Sequence, residues 1–267
     1  MEKIRKNKKV IAVFLIPAVL IYLCFELIPV VMSVYFSFND WPGLQAVPLK
    51  FVGFKNYSNL FHNAVFLKSL QNVLIYVVVS VILQVPIGFG LGLLIHHFKK
   101  GQRFFKAAFF IPMILSVTAV ALLWNFIYFP TDKGILNSLL IKIGLGNYIQ
   151  QWLVNPKTSL ICLIVVSTWT SVGYYMIICL AGLTSIPDSV LEAGELDGAT
   201  GWKKIWNLYI PMLWEPLKMS TIMVITGVLK IFDTVYILTP TGGTSNCTIV
   251  PALLMYNEAY RYGHYGT

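Results

Sequence analysis

Charged residues are scarce in this sequence: Asp, Glu, Lys and Arg make up 12% of its 267 residues. A soluble domain usually has about a quarter of its residues charged. Hydrophobic residues make up 57% and occur in several runs that are long enough to span a bilayer. The shortage of charge excludes a soluble globular protein and predicts an all-α, polytopic membrane protein.

The residue patterns of common catalytic and cofactor sites are also missing. There is no GxxxxGKS/T phosphate-binding loop, none of the four cysteines forms a CxxC pair, and the four histidines are scattered. No acid pair or Ser–His arrangement stands at a suitable spacing. We therefore expect that this chain is not an enzyme and binds neither a metal nor a cofactor.

The net charge of +9 comes from basic residues that flank the apolar runs. There is no isolated basic domain and no basic-aromatic RNA signature, so nucleic acid is not an expected partner. Basic residues are densest at residues 1–9 and 99–106, and Lys203 and Lys204 fall on the same side. The positive-inside rule then predicts a cytoplasmic N-terminus in a bacterial cell membrane.

Five apolar runs are predicted to span the bilayer, at about residues 10–38, 70–95, 104–129, 159–183 and 213–238. Pro17 and Pro29 are expected to kink the first span. Five spans would leave the C-terminus outside the cell. We therefore expect either a chain that ends outside or a further span after Thr267.

One compact polar segment, LEAGELDGATGWKKIWNLYIP at residues 191–211, separates the last two apolar runs. It predicts a helix, a turn and a second helix. Ser189 and Glu192 have capping-box spacing, Gly198 is placed to end the first helix, and Thr200 is placed to cap the second. The pattern fits either a well-capped loop or a rigid element that docks into a partner protein.

The same segment resembles the EAA motif of bacterial binding-protein-dependent ABC importer permeases. The matching residues are Glu192-Ala193-Gly194, Gly198 and Leu208-Tyr209-Ile210-Pro211, with departures at Gly194, Leu208 and Ile210. The segments FVGFKNYSNLF (51–61), GILN (134–137) and LTPTGG (238–243) are similar to the sugar-permease branch of this family, which includes maltose-type and glycerol-3-phosphate-type subunits.

The resemblance implies the type I ABC importer transmembrane fold. It implies a basic N-terminus at 1–9 and a permease domain at 10–267, with a cytoplasmic coupling loop at 185–211. Expected partners are a second permease subunit, two cytoplasmic ATPase subunits that hold ATP and Mg, an extracytoplasmic sugar-binding protein, a carbohydrate and the lipid bilayer. Coupling to the ATPase is assigned by the resemblance to Glu192, Ala193, Gly194, Glu195, Asp197, Gly198 and Pro211.

In this interpretation the carboxylates of the loop meet basic groups of the ATPase. Gly194 and Gly198 allow the backbone to approach the wall of the partner's groove. Closure of the ATPase pair then moves the permeases between inward-facing and outward-facing states.

Candidate residues of a sugar path come from three of the predicted spans. Lys230 and Asp233 are three apart and are expected to share a helix face, either in the path or as a self-neutralising pair. Aromatic and small polar side chains suit sugars but are also typical of interfacial belts. On this basis the remaining candidates are Trp124, Asn125, Tyr128, Ser171, Gly173 and Tyr174.

Two other functions stay open at this level. A self-sufficient secondary transporter would need acids buried within its spans, and Glu26 and Asp233 are the only candidates. A membrane scaffold needs no such residues. Within the importer interpretation the sugar is undetermined, and Lys230 also suits a phosphorylated or acidic sugar.

Overall fold

The computed structural model describes residues 8–41, 48–98 and 101–263, with side chains described from residue 12 onward. Most of the basic N-terminal segment and the pair Lys99-Lys100 lie outside the described residues. The chain divides into two compact units, residues 1–64 with 256–267 and residues 65–255.

The first unit contains the predicted first span, a helical stretch of 26 residues from Ala12 to Ser37. It is built from α1 (Lys8–Tyr22), a π-helical turn (Leu23–Leu27) and α2 (Ile28–Ser37). α1 continues through Pro17, and the irregular turn lies just before Pro29. Because Pro29 has no N–H and its ring displaces the carbonyl four residues back, the ladder widens there by one residue.

A short ribbon and helix follow the first span. Strand β1 (Asn39–Asp40) pairs antiparallel with β2 (Lys50–Phe51), and α3 (Lys55–His62) comes next. The Nδ2 of Asn56 donates to the backbone oxygens of Ser37 and Asn39, each at 3.0 Å. This amide fastens the start of α3 to the end of the span.

The second unit is helical in its described residues apart from turns and loops. Its elements in chain order are α4 (Ala64–His97), α5 (Gln102–Ile114), α6 (Val117–Ile127), α7 (Ile135–Lys142), a 3-10 turn (Gly146–Tyr148), α8 (Ser159–Thr184), α9 (Asp188–Leu196), α10 (Trp202–Met212, with a π turn at Ile205–Tyr209), α11 (Trp214–Leu229), α12 (Asp233–Leu238), a 3-10 turn (Thr244–Asn246) and α13 (Pro251–Tyr256). A last π turn, Asn257–Arg261, follows α13.

Within the described part of the chain, three helices are long and apolar enough to cross a membrane: Ala12–Ser37, α4 and α8. The pairs α5–α6 and α10–α11 also qualify if each bent pair is one span, with bends of 98° and 73°. The predicted number, five, is the upper limit that these described helices allow, and the fifth candidate at 202–229 differs in its bounds from the predicted 213–238. Two of the predicted spans are interrupted: the third, 104–129, at residues 115–116, and the fifth, 213–238, at residues 230–232.

The break in span three lies at Leu115 and Ser116. Leu115 is extended, and the Ser116 hydroxyl accepts a hydrogen bond from the backbone N–H of Ala119 at 3.3 Å. A serine in this position satisfies an N–H of a new helix start, so α6 begins afresh at Val117. Ser116 stands inside an apolar run, so the hydropathy of the sequence does not reveal that it caps a new helix.

The break in span five separates Lys230 from Asp233. α11 ends at Leu229 with Lys230 as its C-cap, and α12 begins at Asp233, where an acid favours the first turn. The two residues therefore belong to different helix ends. The prediction that they share a face of one helix is wrong.

Close helix crossings hold the second unit together. A Cβ at Gly88 of α4 would lie 2.8 Å from the Cβ of Tyr175 in α8, and one at Gly92 would lie 3.3 Å from Cys179. These glycines let two spans approach backbone to backbone. Near the other end of α4, the buried Asn72 donates to the carbonyl oxygens of Asn246 and Ile249, each at 2.9 Å.

Candidate functional site

The polar segment folds as two short helices, α9 and α10, joined by a tight turn; residues 188–212 are called the hairpin below. Pro187 is the N-cap of α9, and its cap makes no side-chain hydrogen bond. The predicted capping box of Ser189 and Glu192 is therefore wrong. Pro187 fixes an extended backbone before the helix, which places Ser189 inside the first turn rather than ahead of it.

The end of α9 follows the prediction for Gly198. Its φ is +81°, its N–H donates to the carbonyl of Glu195 at 3.1 Å, and the N–H of Ala199 donates to Gly194 at 2.8 Å. These two bonds form a Schellman motif, which requires a left-handed residue at this position. Gly201 then caps α10, so the predicted cap at Thr200 is wrong.

Two contacts brace α9 against α10. A Cβ at Gly194 would lie 2.6 Å from Cδ1 of Leu208, so the helices pack where Gly194 has no side chain. The Nζ of Lys204 lies 2.6 Å from Oε1 of Glu195. Gly194 thus contacts its own chain rather than a partner, which corrects the expectation of a close approach to a partner's groove at this residue.

The remaining acidic face of α9 is uncovered. Glu192, Ala193, Asp197 and Gly198 are exposed, and Leu196 is 90% exposed. Around Gly198 a Cβ would meet nothing within 4 Å, so this glycine serves the backbone and not a tight packing contact. An apolar side chain this exposed beside carboxylates indicates a surface for a protein partner.

Pro211 is exposed and lies one turn after the π turn of α10. The N–H of Ile210 donates to Ile205, five residues back. This repeats the arrangement before Pro29 in the first span. Both irregular turns precede a proline, but α1 continues regularly through Pro17, so a proline alone does not predict such a turn.

Two of the predicted sugar-path residues are used for packing. Tyr128 is 5% exposed, and its hydroxyl donates to the carbonyl of Cys162 at 3.4 Å. A Cβ at Gly173 would lie 1.9 Å from the carbonyl oxygen of Phe109, which places Gly173 at the crossing of α5 and α8. Both assignments to a sugar path are corrected, because neither residue presents a surface to a ligand.

The structure brings Trp124 next to a residue that the sequence reasoning missed. The ring centres of Trp124 and Trp169 are 5.8 Å apart and the rings meet edge to face, while the ring of Tyr128 packs against Trp124 at 5.1 Å with a tilt of 38°. Trp169 stands within α8 rather than at its end, away from the usual interfacial belt. Because belt tryptophans stand near span ends, the position of Trp169 inside the fourth apolar run could have identified it from the sequence. Asn125 is half-buried on the same helix as Trp124.

The other path candidates do not converge on this aromatic pair by any described contact. Ser171 is half-buried, and the hydroxyl of Tyr174 donates to Sδ of Met223 at 3.8 Å. Lys230 and Asp233 are both exposed. Over residues 12–41, 48–98 and 101–263 no ion pair joins Lys230 to Asp233, so the expected self-neutralising pair is not formed.

Metal ligation finds no site in the described part of the chain: no group of three or more His, Cys, Asp or Glu side chains is placed to hold an ion.

Comparison with known proteins gives a consistent result. The family model described as "Binding-protein-dependent transport system inner membrane component" matches residues 84–263. The chain is 36% identical to the probable ABC transporter permease protein YurN of Bacillus subtilis, over 96% of this chain and 87% of that one. It is 32% identical to the lactose transport system permease protein LacF of Rhizobium radiobacter, over 93% and 83%.

A solved structure shares the fold. A chain in the crystal structure of a bacterial alginate ABC transporter, in complex with an alginate pentasaccharide-bound periplasmic protein, superposes with a TM-score of 0.83. The two chains are 22% identical, and the match covers 99% of this chain and 88% of the other.

Proposed function

The chain belongs to the family of inner membrane components of binding-protein-dependent transport systems, and from that premise we propose that it is the permease subunit of an ATP-driven importer for a carbohydrate. As a family member it is a multi-pass transport component and not an enzyme. In the proposal, a binding protein delivers the sugar from outside and alternating access carries it into the cytoplasm.

The names of similar proteins support a carbohydrate as substrate. One is a lactose permease, and the structural neighbour belongs to a transporter crystallised with an alginate-bound protein. The aromatic pair Trp124–Trp169 supports the same class, since aromatic rings pack against the CH faces of sugars. Asn125, next to Trp124 in the chain, Ser171 and Tyr174 are half-buried polar groups that stay candidates for the path, although the last two make no described contact with the aromatic pair. An acidic or phosphorylated sugar is the second candidate, which the exposed Lys230 favours.

The hairpin is the proposed attachment point of the ATPase. Gly194 and Glu195 contact Leu208 and Lys204 of the same hairpin. In contrast, Glu192, Ala193 and Leu196 are exposed to solvent. This division between an internally braced side and an open side is the observation that supports docking most strongly. A braced hairpin transmits a push as a rigid body, which coupling requires.

The full assembly is proposed to hold this subunit, a second permease subunit and two ATPase subunits. The ATPase subunits bind ATP and Mg, and this chain binds neither. The N-terminus and the hairpin are proposed to lie in the cytoplasm, because basic residues are densest there.

The test is co-purification from membranes with the variant Glu192→Lys/Leu196→Asp beside the wild type. The exposed Lys133→Glu, which lies far along the chain from the hairpin, is the matched charge-reversal control. We expect an ATPase and a second permease with the wild type and the control. The double variant is expected to keep the second permease and lose the ATPase.

Transport is measured in vesicles supplied with the binding protein, radiolabelled sugar and internal ATP. Uptake should require ATP and should fail in the double variant. If the wild type purifies alone and accumulates sugar without ATP, the importer proposal is wrong and a self-sufficient transporter takes its place.

A further inference from the structure

Three tryptophans are concentrated on the hairpin and the helix that follows it. Of the seven in the sequence, Trp202, Trp206 and Trp214 fall within thirteen residues. They are 75%, 64% and 57% exposed in the isolated chain. Soluble surfaces rarely leave several large rings uncovered in one place, and such a patch indicates a partner surface.

Two of these rings lie on the side of α10 that faces away from α9. Lys204 and Leu208, four residues apart, contact α9. Trp202 and Trp206 each stand two residues before one of them, and residues two apart lie on roughly opposite sides both of an α-helix and of the π turn that this helix contains. The tryptophans are therefore not on the acidic face that carries Glu192.

The bend between α10 and α11 determines how the tryptophan face of α10 is oriented relative to the membrane. The two helices meet at 73°. We take α11 as the part of this bent pair that crosses the membrane; at the average tilt of about 20° from the bilayer normal, a helix bent by 73° from it runs close to the plane of the membrane. α11 itself exposes Met219 and Ile222 as lipid-facing side chains would be. The tryptophan face is continuous in the chain with that lipid-facing surface.

The charges beside the rings match a phospholipid surface. Lys203 is exposed between the two tryptophans. The Nζ of Lys218 lies 6.0 Å from the centre of the Trp214 ring and pairs with Glu215 at 2.6 Å, so the charge available to headgroups on this face is that of Lys203. Tryptophan and lysine together at the end of a span are typical of the headgroup layer, where the ring has an apolar body and a polar N–H. Lysine also attracts anionic lipids at the cytoplasmic leaflet.

We propose that α10 is an in-plane membrane anchor, with Trp202 and Trp206 inserted at the headgroup boundary and Lys203 beside anionic lipid headgroups. The anchor holds the hairpin against the bilayer through the Gly194–Leu208 and Glu195–Lys204 contacts. Its opposite side is left to the ATPase. The proposal rests on the proposed function in two respects only: that the anchor lies in the cytoplasmic leaflet, and that the ATPase binds the opposite side of the hairpin.

The test places a nitroxide label at single cysteines in the purified transporter, reconstituted in equal parts of phosphatidylethanolamine and phosphatidylglycerol. Cys24→Ser removes the exposed native thiol, and Cys162, Cys179 and Cys247 are buried. The test sites are Trp202→Cys and Trp206→Cys. Asn207→Cys, exposed on the same helix, and Leu196→Cys, on α9, are the controls.

Power saturation compares the accessibility of each label to oxygen, which partitions into lipid, and to a water-soluble nickel chelate. We expect oxygen to dominate at positions 202 and 206 and nickel to dominate at 207. Lys203→Glu should reduce the oxygen-to-nickel ratio at 202 and 206 in the anionic bilayer and leave it unchanged in pure phosphatidylcholine.

A higher accessibility to nickel than to oxygen at 202 and 206 overturns the anchor. The anchor is also overturned if both positions are inaccessible to both reagents and become accessible when the ATPase is removed. In that case the rings contact the ATPase and not lipid. That second outcome would leave the proposed function intact, because it places the ATPase on the hairpin. If the purified transporter contains no ATPase and the labels at 202 and 206 keep the same accessibility to oxygen and nickel, the anchor stands. That result would count against the proposed function.

Discussion

The segment at residues 129–158 and the hairpin at 188–212 both connect spans, but they are held in opposite ways. In the first, the fully buried Asn137 faces three carbonyl oxygens, those of Phe129, Thr131 and Gln150, at 3.3, 3.0 and 3.2 Å. Its Oδ1 accepts from Nε1 of Trp152 at 2.7 Å. One amide side chain thus organises a whole loop from inside.

The hairpin has no such centre. It depends on a left-handed glycine, on one glycine that makes room for Leu208, and on a largely exposed ion pair. A buried network fixes a single shape, because each unmet polar group there is costly. Surface contacts cost little to change. The difference indicates that the first segment is fixed from a buried centre, whereas the hairpin is braced between its two helices and leaves its outer faces open to partners.

The largest effect is expected from Asn137→Ala, which leaves several buried backbone groups and the Trp152 N–H without partners. At 1–3 kcal/mol for each unsatisfied group, we expect a loss of roughly 3 kcal/mol or more of stability. Thermal unfolding of the Cys24→Ser protein, followed with a thiol-reactive dye that reports the buried Cys162, Cys179 and Cys247, measures it. Ser138→Ala, whose hydroxyl bonds only within its own exposed turn, is the control. Equal melting temperatures would show that the network is not what holds the loop.

A smaller effect is expected from Gly194→Leu, which forces Leu208 away and separates α9 from α10. Overpacking of this kind costs about 1–3 kcal/mol. The local readout is trypsin cleavage after Lys203 or Lys204, which should accelerate. The second substitution Leu208→Ala restores the space and should slow cleavage again. If cleavage is fast in both variants, the contact between these two residues is not the brace.

Gly198→Ala isolates the cost of the backbone, because the position is open and its φ is +81°. A non-glycine residue in this region costs about 1–2 kcal/mol. Gly198→Asn should cost less than Gly198→Ala, since asparagine tolerates the left-handed conformation. Both are compared with the wild type by the same cleavage assay. A larger loss in Gly198→Asn would point to a steric role and not to the backbone.

The smallest effect is expected from Lys204→Met, which removes the partner of the exposed Glu195. A pair of this kind contributes from a few tenths to about 1 kcal/mol. The loss should shrink in high salt, because exposed charges are screened. Glu195→Gln should match it, and the two together should lose no more than either alone. Full additivity in the double variant would show that the two side chains act independently.

Prediction from sequence succeeded where the signal was local and strong. The uninterrupted spans at Ala12–Ser37, Ala64–His97 and Ser159–Thr184 were each anticipated within a few residues at one end or both. Gly198 was correctly placed as a helix terminator, because a glycine after a polar helix has few other uses. The hairpin was located from the sequence because its polar residues interrupt two long apolar runs.

It failed where an apolar run conceals a change of direction. Ser116 caps a new helix inside a stretch whose hydropathy is uniform, and Lys230 ends one helix three residues before Asp233 begins the next. Tyr128 and Gly173 look like ligand groups by residue type. Their burial depends on which helix crosses them, and no pattern along the chain states that.

The sequence alone determined that this protein resides in a membrane, which runs reach across it, and where the polar hairpin interrupts them. These properties follow from composition and from turn chemistry, which act over a few neighbouring residues. Only the tertiary structure decided that Gly194 and Lys204 brace the hairpin, that Trp124 meets Trp169, and that two spans are bent. Those outcomes depend on side chains far apart in the chain coming within a few ångströms, where close packing selects among arrangements that the local sequence permits equally.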